Sequence, residues 1–263
     1  MSLPEVVSRQ QWLEARAQLL EEEKRLTRHR DALATQRREL PMVEVEADYV
    51  FEGEQGRLRL IDLFAGRHQL VVYHAMWLYD QDRPCPSCSA FLDQIGHLAH
   101  LHVRDTSFAA VSRASVERMQ IFRERLGWNF PWVSSLGSSF NYDYHVTFDE
   151  SVAPIEWNFS SRAELERGGL PIGEWEQPFD LHGLSVFLHD GEHVFHTYSS
   201  YARGVDNLGF INNLLDLTPL GRQERWEQPE GRATAFGQEA RSAVPATGYH
   251  DEYETDTAPT RRS

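Results

Sequence analysis

The chain has 263 residues, 41% of them hydrophobic and 11% aromatic, enough for one well-filled core with appendages. Its formal net charge of −14, from 40 acidic and 26 basic residues, argues against nucleic acid or an anionic membrane surface as partner, because phosphate neutralisation needs basic side chains. Two cysteines are too few for a disulfide-stapled secreted fold or a four-ligand structural zinc site.

Residues 8–39 read as one long helix. Ser8 is the expected N-cap, with Gln11 completing a capping box. Trp12, Leu19, Leu26, Leu33 and Leu40 recur every seven residues, but the partner heptad position holds Glu23, Arg30 and Arg37. The half-formed seam predicts packing on the chain's own domain or on a second copy rather than a free coiled coil. A homodimer through this helix is therefore an open alternative. Residues 42–66 read as strand, turn and strand around Gly53-Glu54-Gln55-Gly56. The apolar run Gln69–Trp77 reads as a central buried strand. A seven-residue loop, Leu78 to Pro84, then leads to Cys85-Pro86-Ser87-Cys88 and a helix through about Leu101.

Thr106–Ser112 is a second buried strand, followed by a helix capped by Ser115 and stopped by Gly127. A strand and loop are expected over Trp128–Ser139, and a short helix or strand over Tyr142–Phe148. Residues 149–180 are irregular, with Pro154, Gly168-Gly169, Pro171, Gly173 and Pro178. Asp190-Gly191 between Leu184–Leu188 and His193–Tyr198 is a hairpin signal. Leu208–Leu217 reads as a closing helix, and the apolar period ends near Arg222. The division expected is an N-terminal helical extension (1–41), an α/β domain (42–221) with an insertion at about 128–180, and an acidic, disordered tail without a folded role (222–263). Strand–helix–strand crossovers demand parallel pairing, and the last hairpin makes the sheet mixed, flanked by helices.

The dithiol carries the chemistry. Cys85 opens a helix, where free N–H groups and the helix dipole stabilise a thiolate. Pro86 suits the first helical turn, and Cys88 lies one turn on. Cys85 is read as nucleophile and Cys88 as resolving thiol. Arg83 favours the thiolate, while Asp80 and Asp82 oppose it. No cofactor is required. The partner expected is a thiol or disulfide substrate, or a redox partner protein. Two structural alternatives stay open: small buried thiols in a non-catalytic interaction protein, or a copper or zinc site built from Cys85, Cys88 and His74 or a hairpin histidine. The histidines cluster as His97, His100, His102 and as His189, His193, His196.

Further substrate-binding candidates are His74 and Trp77, at the strand end facing the dithiol, where open α/β sheets bind ligands. Arg113 follows the second strand as an anion clamp or a surface charge. Trp132 belongs to an aromatic group with Trp128, Tyr142 and Tyr144 that lines a pocket or fills the core. Tyr198, Tyr201 and Arg203 follow the last hairpin. No run reaches the roughly 18 apolar residues of a membrane span. Met1-Ser2-Leu3-Pro4-Glu5 lacks the form of a secretory signal, so a cytoplasmic location is expected.

Several blocks resemble the bacterial thioredoxin-like family catalogued as domain of unknown function 899: Tyr73-His74-Ala75-Met76-Trp77, Cys85-Pro86-Ser87-Cys88-Ser89, Val111-Ser112-Arg113-Ala114, Gly127–Ser135, Phe140–Asp143, Phe195–Gly204 and Leu215–Arg222. The resemblance spans about residues 8–225 and implies a thioredoxin-like fold without a known reaction. Compared with thioredoxin, seven residues intervene between the strand Trp and the dithiol, and Gly183 stands where a partner-binding proline is expected. Compared with peroxiredoxins, Asp82 replaces the Thr or Ser three residues before the reactive cysteine. Both departures weaken a direct transfer of either activity.

Overall fold

A computed structural model describes residues 4–220, 222, 228 and 248–252. Helix α1 spans Arg9–Arg38; Ser8 accepts from the Gln11 N–H and the Gln11 side chain answers the cap, so the capping box forms as its spacing predicts. No residue of α1 is buried. Trp12, Leu19, Leu26 and Leu33 stay exposed, so the helix does not pack its seam on the chain's own domain. Arg37, whose guanidinium lies 5.3 Å from the Tyr198 ring, touches the body near the helix end.

Strands β1 (Val43–Glu44), β2 (Val50–Gly53) and β3 (Gly56–Arg59) precede the central strand β4 (Gln69–His74). Next come a short hairpin, β5 (Trp77–Leu78) and β6 (Arg83–Pro84), then helices α2 (Pro86–Leu92) and α3 (Ala99–His102). Strand β7 (Thr106–Ser112) is joined by helix α4 (Val116–Leu126) to β8 (Trp132–Ser134). Ser115 caps α4, and Gly127 ends it with a left-handed φ of 68°, where a glycine avoids the Cβ clash.

The following stretch holds α5 (Phe140–Asp143), β9 (Thr147–Phe148), β10 (Glu156–Trp157), β11 (Ser160–Ser161), α6 (Arg162–Arg167) and β12 (Phe179–Asp180). The chain then forms the hairpin β13 (Gly183–His189) and β14 (Val194–Tyr201), then α7 (Phe210–Leu215).

Among the described residues the main sheet has eight strands in the order β1-β14-β13-β4-β7-β8-β2-β3. β4 pairs parallel with β7, and β7 with β8; β13 runs antiparallel to β4 and to β14. A parallel strand–helix–strand unit with the dithiol at its crossover, closed by an antiparallel hairpin, is the thioredoxin-like α/β arrangement that the sequence predicts. β8 falls inside the expected 128–180 insertion yet extends the main sheet, so that boundary moves past Ser134. The remainder is ordered around a small core of its own, including Val146, Phe148, Ile155, Trp157 and Ile172.

The expectation that residues 222–263 have no folded role is overturned for the residues described. The Arg222 side chain is 6% exposed and bonds Asp206 at 3.1 Å and Asp216 at 2.6 Å. Residues 248–252 lie against the dithiol region, with Tyr249 buried. Apart from Gln228, the rest of that stretch lies outside the described residues.

Two cores lie on opposite faces of the sheet. Strand alternation sends Leu70 and Val72 to one, and Tyr73 to the other. Cys85, Cys88, Trp77, Trp128 and Trp132 belong to the Tyr73 face.

Candidate dithiol site

The seven residues expected as an open loop instead fold back. Trp77 pairs with Pro84 and Leu78 with Arg83, and the Cys85 N–H donates to the Met76 carbonyl at 3.0 Å. The extra length is thereby absorbed in a hairpin, and helix α2 starts close to where the central strand ends. Asp82 sits at the turn with a left-handed φ of 48°. Its carboxylate pairs with Arg118 at 2.7 Å and accepts from the Trp77 indole at 3.3 Å.

Cys85 is the N-cap of α2, in extended geometry, with Pro86 in the first helical turn. Its carbonyl accepts from the Ser89 N–H at 2.9 Å and the Ser89 hydroxyl at 3.0 Å. Both cysteines are free thiols, each 2% exposed. The Cys88 S–H, aided by the N–H groups of Cys88 and Ser87, draws the Cys85 pKa down to about 6 against the opposing effect of burial. Cys88 moves the other way, raised by its bond to Cys85, by burial and by the neighbouring charge. The interaction between the two sulfurs is the first cause of both shifts, and the backbone N–H groups at the helix end add to the lowering of Cys85. The Tyr73 hydroxyl and the Met76 backbone moderate its rise.

Two of the remaining sequence candidates lie on the dithiol face. Trp77 and Trp132 have ring centroids 6.4 Å apart, and the Trp132 indole donates to Ser112 Oγ at 2.9 Å. Both are buried core rings. His74 is elsewhere. The alternation of β4 turns it to the opposite face, where Nε2 bonds Ser185 Oγ at 2.8 Å. Ser185 continues to Ser199, and Ser199 to His196, each at 2.8 Å. Burial, with His196 nearby, pushes the His74 pKa down to about 3.

A metal site joining His74 to the two sulfurs therefore does not fit. Among the described residues, no group of three or more His, Cys, Asp or Glu side chains is placed to hold a metal ion.

Tyr201 is buried, and its hydroxyl donates to the Tyr144 carbonyl at 3.0 Å. Tyr198 is half-buried beneath Arg37, and Arg203 is exposed, 3.5 Å from Asp206. These three do not join the dithiol. Gly183 pairs with His74 and Tyr201; a Cβ there would stand 2.7 Å and 2.9 Å from the Tyr201 ring. A larger residue there, proline included, would require that ring to shift.

Arg113 places its guanidinium 5.3 Å from the Tyr142 ring centroid and bonds Tyr79. Tyr79 in turn donates to Asp180 at 2.8 Å. Asp180 also accepts from the Trp77 N–H at 3.0 Å and from Thr147 Oγ1 at 2.7 Å. Burial raises its pKa to about 6 in spite of these bonds. Asp180 thus ties the insertion to the hairpin that carries the dithiol.

The sequence reading missed Tyr73, Asp180 and Tyr249. Alternation along β4 was the available signal for Tyr73. Asp180 and Tyr249 are 95 and 164 residues from Cys85 in sequence, and no local pattern announces such contacts.

Comparison with solved structures aligns the chain with a bacterioferritin comigratory protein of Xanthomonas campestris, whose description concerns alkyl peroxide reduction (14% identity, 64% of this chain and 94% of that one, TM-score 0.41). It also aligns with the peroxidoxin BcpB of Mycobacterium tuberculosis (15% identity, 64% and 92%, TM-score 0.40). A third match is a hypothetical protein of Sinorhizobium meliloti (15% identity, 70% and 88%, TM-score 0.37). No curated protein matches the sequence. No helix among the described residues is long and apolar enough to cross a membrane. The family profile described as "Bacterial protein of unknown function (DUF899)" matches residues 1–253, and the chain belongs to that family.

Proposed function

We propose that the protein is a thiol–disulfide oxidoreductase working through Cys85 and Cys88. The observation that carries this reading is the placement of the two free thiols: Cys85 is the N-cap of α2, Pro86 follows it, and Cys88 lies one turn on in the same core. This setting favours the thiolate at Cys85 and the protonated thiol at Cys88.

The Cys85 thiolate attacks one sulfur of a substrate disulfide. A Cys85–substrate bond forms, the substrate S–S bond breaks, and the departing thiolate takes a proton from solvent. Cys88 gives its proton to solvent and attacks Cys85 Sγ. The intramolecular disulfide forms, the Cys85–substrate bond breaks, and the second substrate thiolate leaves and takes a proton from solvent. Two electrons pass from the dithiol to the substrate, and a thiol reductant returns the protein to its starting state. A reducing cytoplasm suits this cycle.

The test is reduction of a small aromatic disulfide in the presence of a dithiol reductant. Cys85→Ser abolishes turnover, and Cys88→Ser accumulates a mixed disulfide on Cys85 detected by mass spectrometry. Unchanged turnover in Cys85→Ser, or no adduct in Cys88→Ser, overturns the reading.

A further inference from the structure

Residues 248–252 are far from the dithiol in sequence and adjacent to it in space. Tyr249 is 1% exposed and packs in the same core as Cys85 and Cys88. Its hydroxyl donates to the carbonyl of Pro84, the residue before Cys85, at 2.6 Å. The charge at Cys85 is close enough to oppose ionisation of the phenol. The ring lies 5.8 Å from that of Phe122. The guanidinium groups of Arg83 and Arg125 lie 5.8 Å and 5.0 Å from its centroid.

The residues that follow are held differently. Arg125 grips Asp251 with two bonds, of 2.6 Å and 2.8 Å, and Glu252 with one of 2.9 Å. His250 reaches Asp93 at 2.9 Å, and the Asp93 carboxylate also accepts from the Trp128 indole at 2.7 Å. All three acidic partners pair near the surface.

We infer that residues 248–252 form a releasable strap over the dithiol, with Tyr249 as the plug and the Arg125 and Asp93 pairs as the latch. The inference rests on the reading of Cys85 as the attacking thiol. In-line attack on a disulfide needs an open approach to Cys85 Sγ, yet Cys85 is 2% exposed. The strap is attached by one aromatic ring, the Arg125 charge pairs to Asp251 and Glu252, and the His250–Asp93 contact, rather than by strand pairing. Exposed charge pairs contribute little each and are screened by salt. The surface it covers accepts an aromatic side chain followed by carboxylates, so the chain's own segment occupies the face that a polypeptide substrate would approach.

The experiment is the rate at which a bulky maleimide labels Cys85, mapped by mass spectrometry at about pH 8.5, where the thiolate is already formed. Truncation after residue 247, Tyr249→Ala and the double variant Asp251→Lys/Glu252→Lys each speed labelling by about tenfold or more. In the intact chain, raising salt from roughly 0.05 to 1 M also speeds labelling, a readout that needs no variant to fold. Labelling of the truncated chain within about twofold of the intact chain, or a salt-independent rate in the intact chain, overturns the strap. Labelling requires no turnover. Absence of disulfide reduction therefore counts against the oxidoreductase reading alone, and unaltered labelling counts against the strap alone.

Discussion

Tyr73 and His74 are neighbours on β4 and serve opposite faces of the sheet: Tyr73 packs in the core that holds Cys85 and Cys88, and His74 bonds Ser185 at 2.8 Å. A one-residue step along a strand reverses side-chain direction. It therefore decides which of the two polar rings meets the dithiol. Tyr73 is the group positioned to assist Cys88. Its hydroxyl lowers the cost of a Cys88 thiolate, the form that the proposed cycle needs before the second exchange.

Tyr73→Phe keeps the ring and removes that donor. The expected result is a slower resolution step, by about three- to tenfold, from the loss of one hydrogen bond to a charged sulfur. Single-turnover decay of the mixed disulfide measures it. The pH midpoint of Cys85 alkylation should barely move, because the Tyr73 hydroxyl acts on Cys88 rather than on Cys85.

Cys88→Ala removes the largest stabiliser of the Cys85 thiolate. The pH midpoint of iodoacetamide labelling at Cys85 should rise from near 6 by more than about one unit, whereas Cys88→Ser, which retains a donor, shifts it less. A midpoint unchanged in Cys88→Ala would show that the helix N–H groups alone hold the thiolate.

His74 and Asp180 give opposite pH signatures. The folded His74 pKa of about 3 lies below its ordinary 6.5, so the unfolded chain binds a proton that the folded chain refuses. Its contribution to stability is full above about 6.5 and is lost as pH falls towards 3, with a slope of up to ~1.4 kcal/mol per pH unit. Asp180 is raised from 3.8 to about 6. Its contribution is present below 3.8 and is lost as pH rises through 6. Urea midpoints between pH 4 and 7.5 check both. His74→Leu should flatten the acid loss without altering the Cys85 labelling midpoint. Asp180→Asn should remove the fall near pH 6.

Gly183→Ala would place a methyl group 2.7 Å and 2.9 Å from Tyr201 ring carbons and 3.1 Å from Val146 Cγ1. The ring is buried and its hydroxyl is bonded to the Tyr144 carbonyl, so it cannot swing aside freely. A loss of about 1–3 kcal/mol is expected from overpacking, measured by urea unfolding. Gly183→Ala/Tyr201→Ala should recover part of that loss relative to Tyr201→Ala alone, which identifies the clash as its source.

Local signals were legible where they were strong. The capping box at Ser8, the stop at Gly127 and strand Thr106–Ser112 all occur where the sequence places them. The strand expected to run to Trp77 ends at His74 instead, and Trp77 begins a separate hairpin. The heptad leucines of α1 predicted a packed face and are exposed. Periodicity reports an apolar stripe, whereas burial depends on a partner surface that one chain need not supply.

The position of the dithiol is a property of the sequence. An apolar strand, a C-x-x-C with Pro86 at the helix start, and a later Asp190-Gly191 hairpin suffice for a thioredoxin-like α/β arrangement, because each signal depends on neighbours within a few residues. The company the dithiol keeps was decided by tertiary structure. The fold of Trp77–Pro84 into a hairpin returned Cys85 to Met76, the direction of β4 removed His74 from the site, and Tyr249 arrived from 164 residues away to cover it. Contacts of that range form only when the sheet and its crossovers bring distant segments together, and no local pattern encodes which side chain then meets the sulfur.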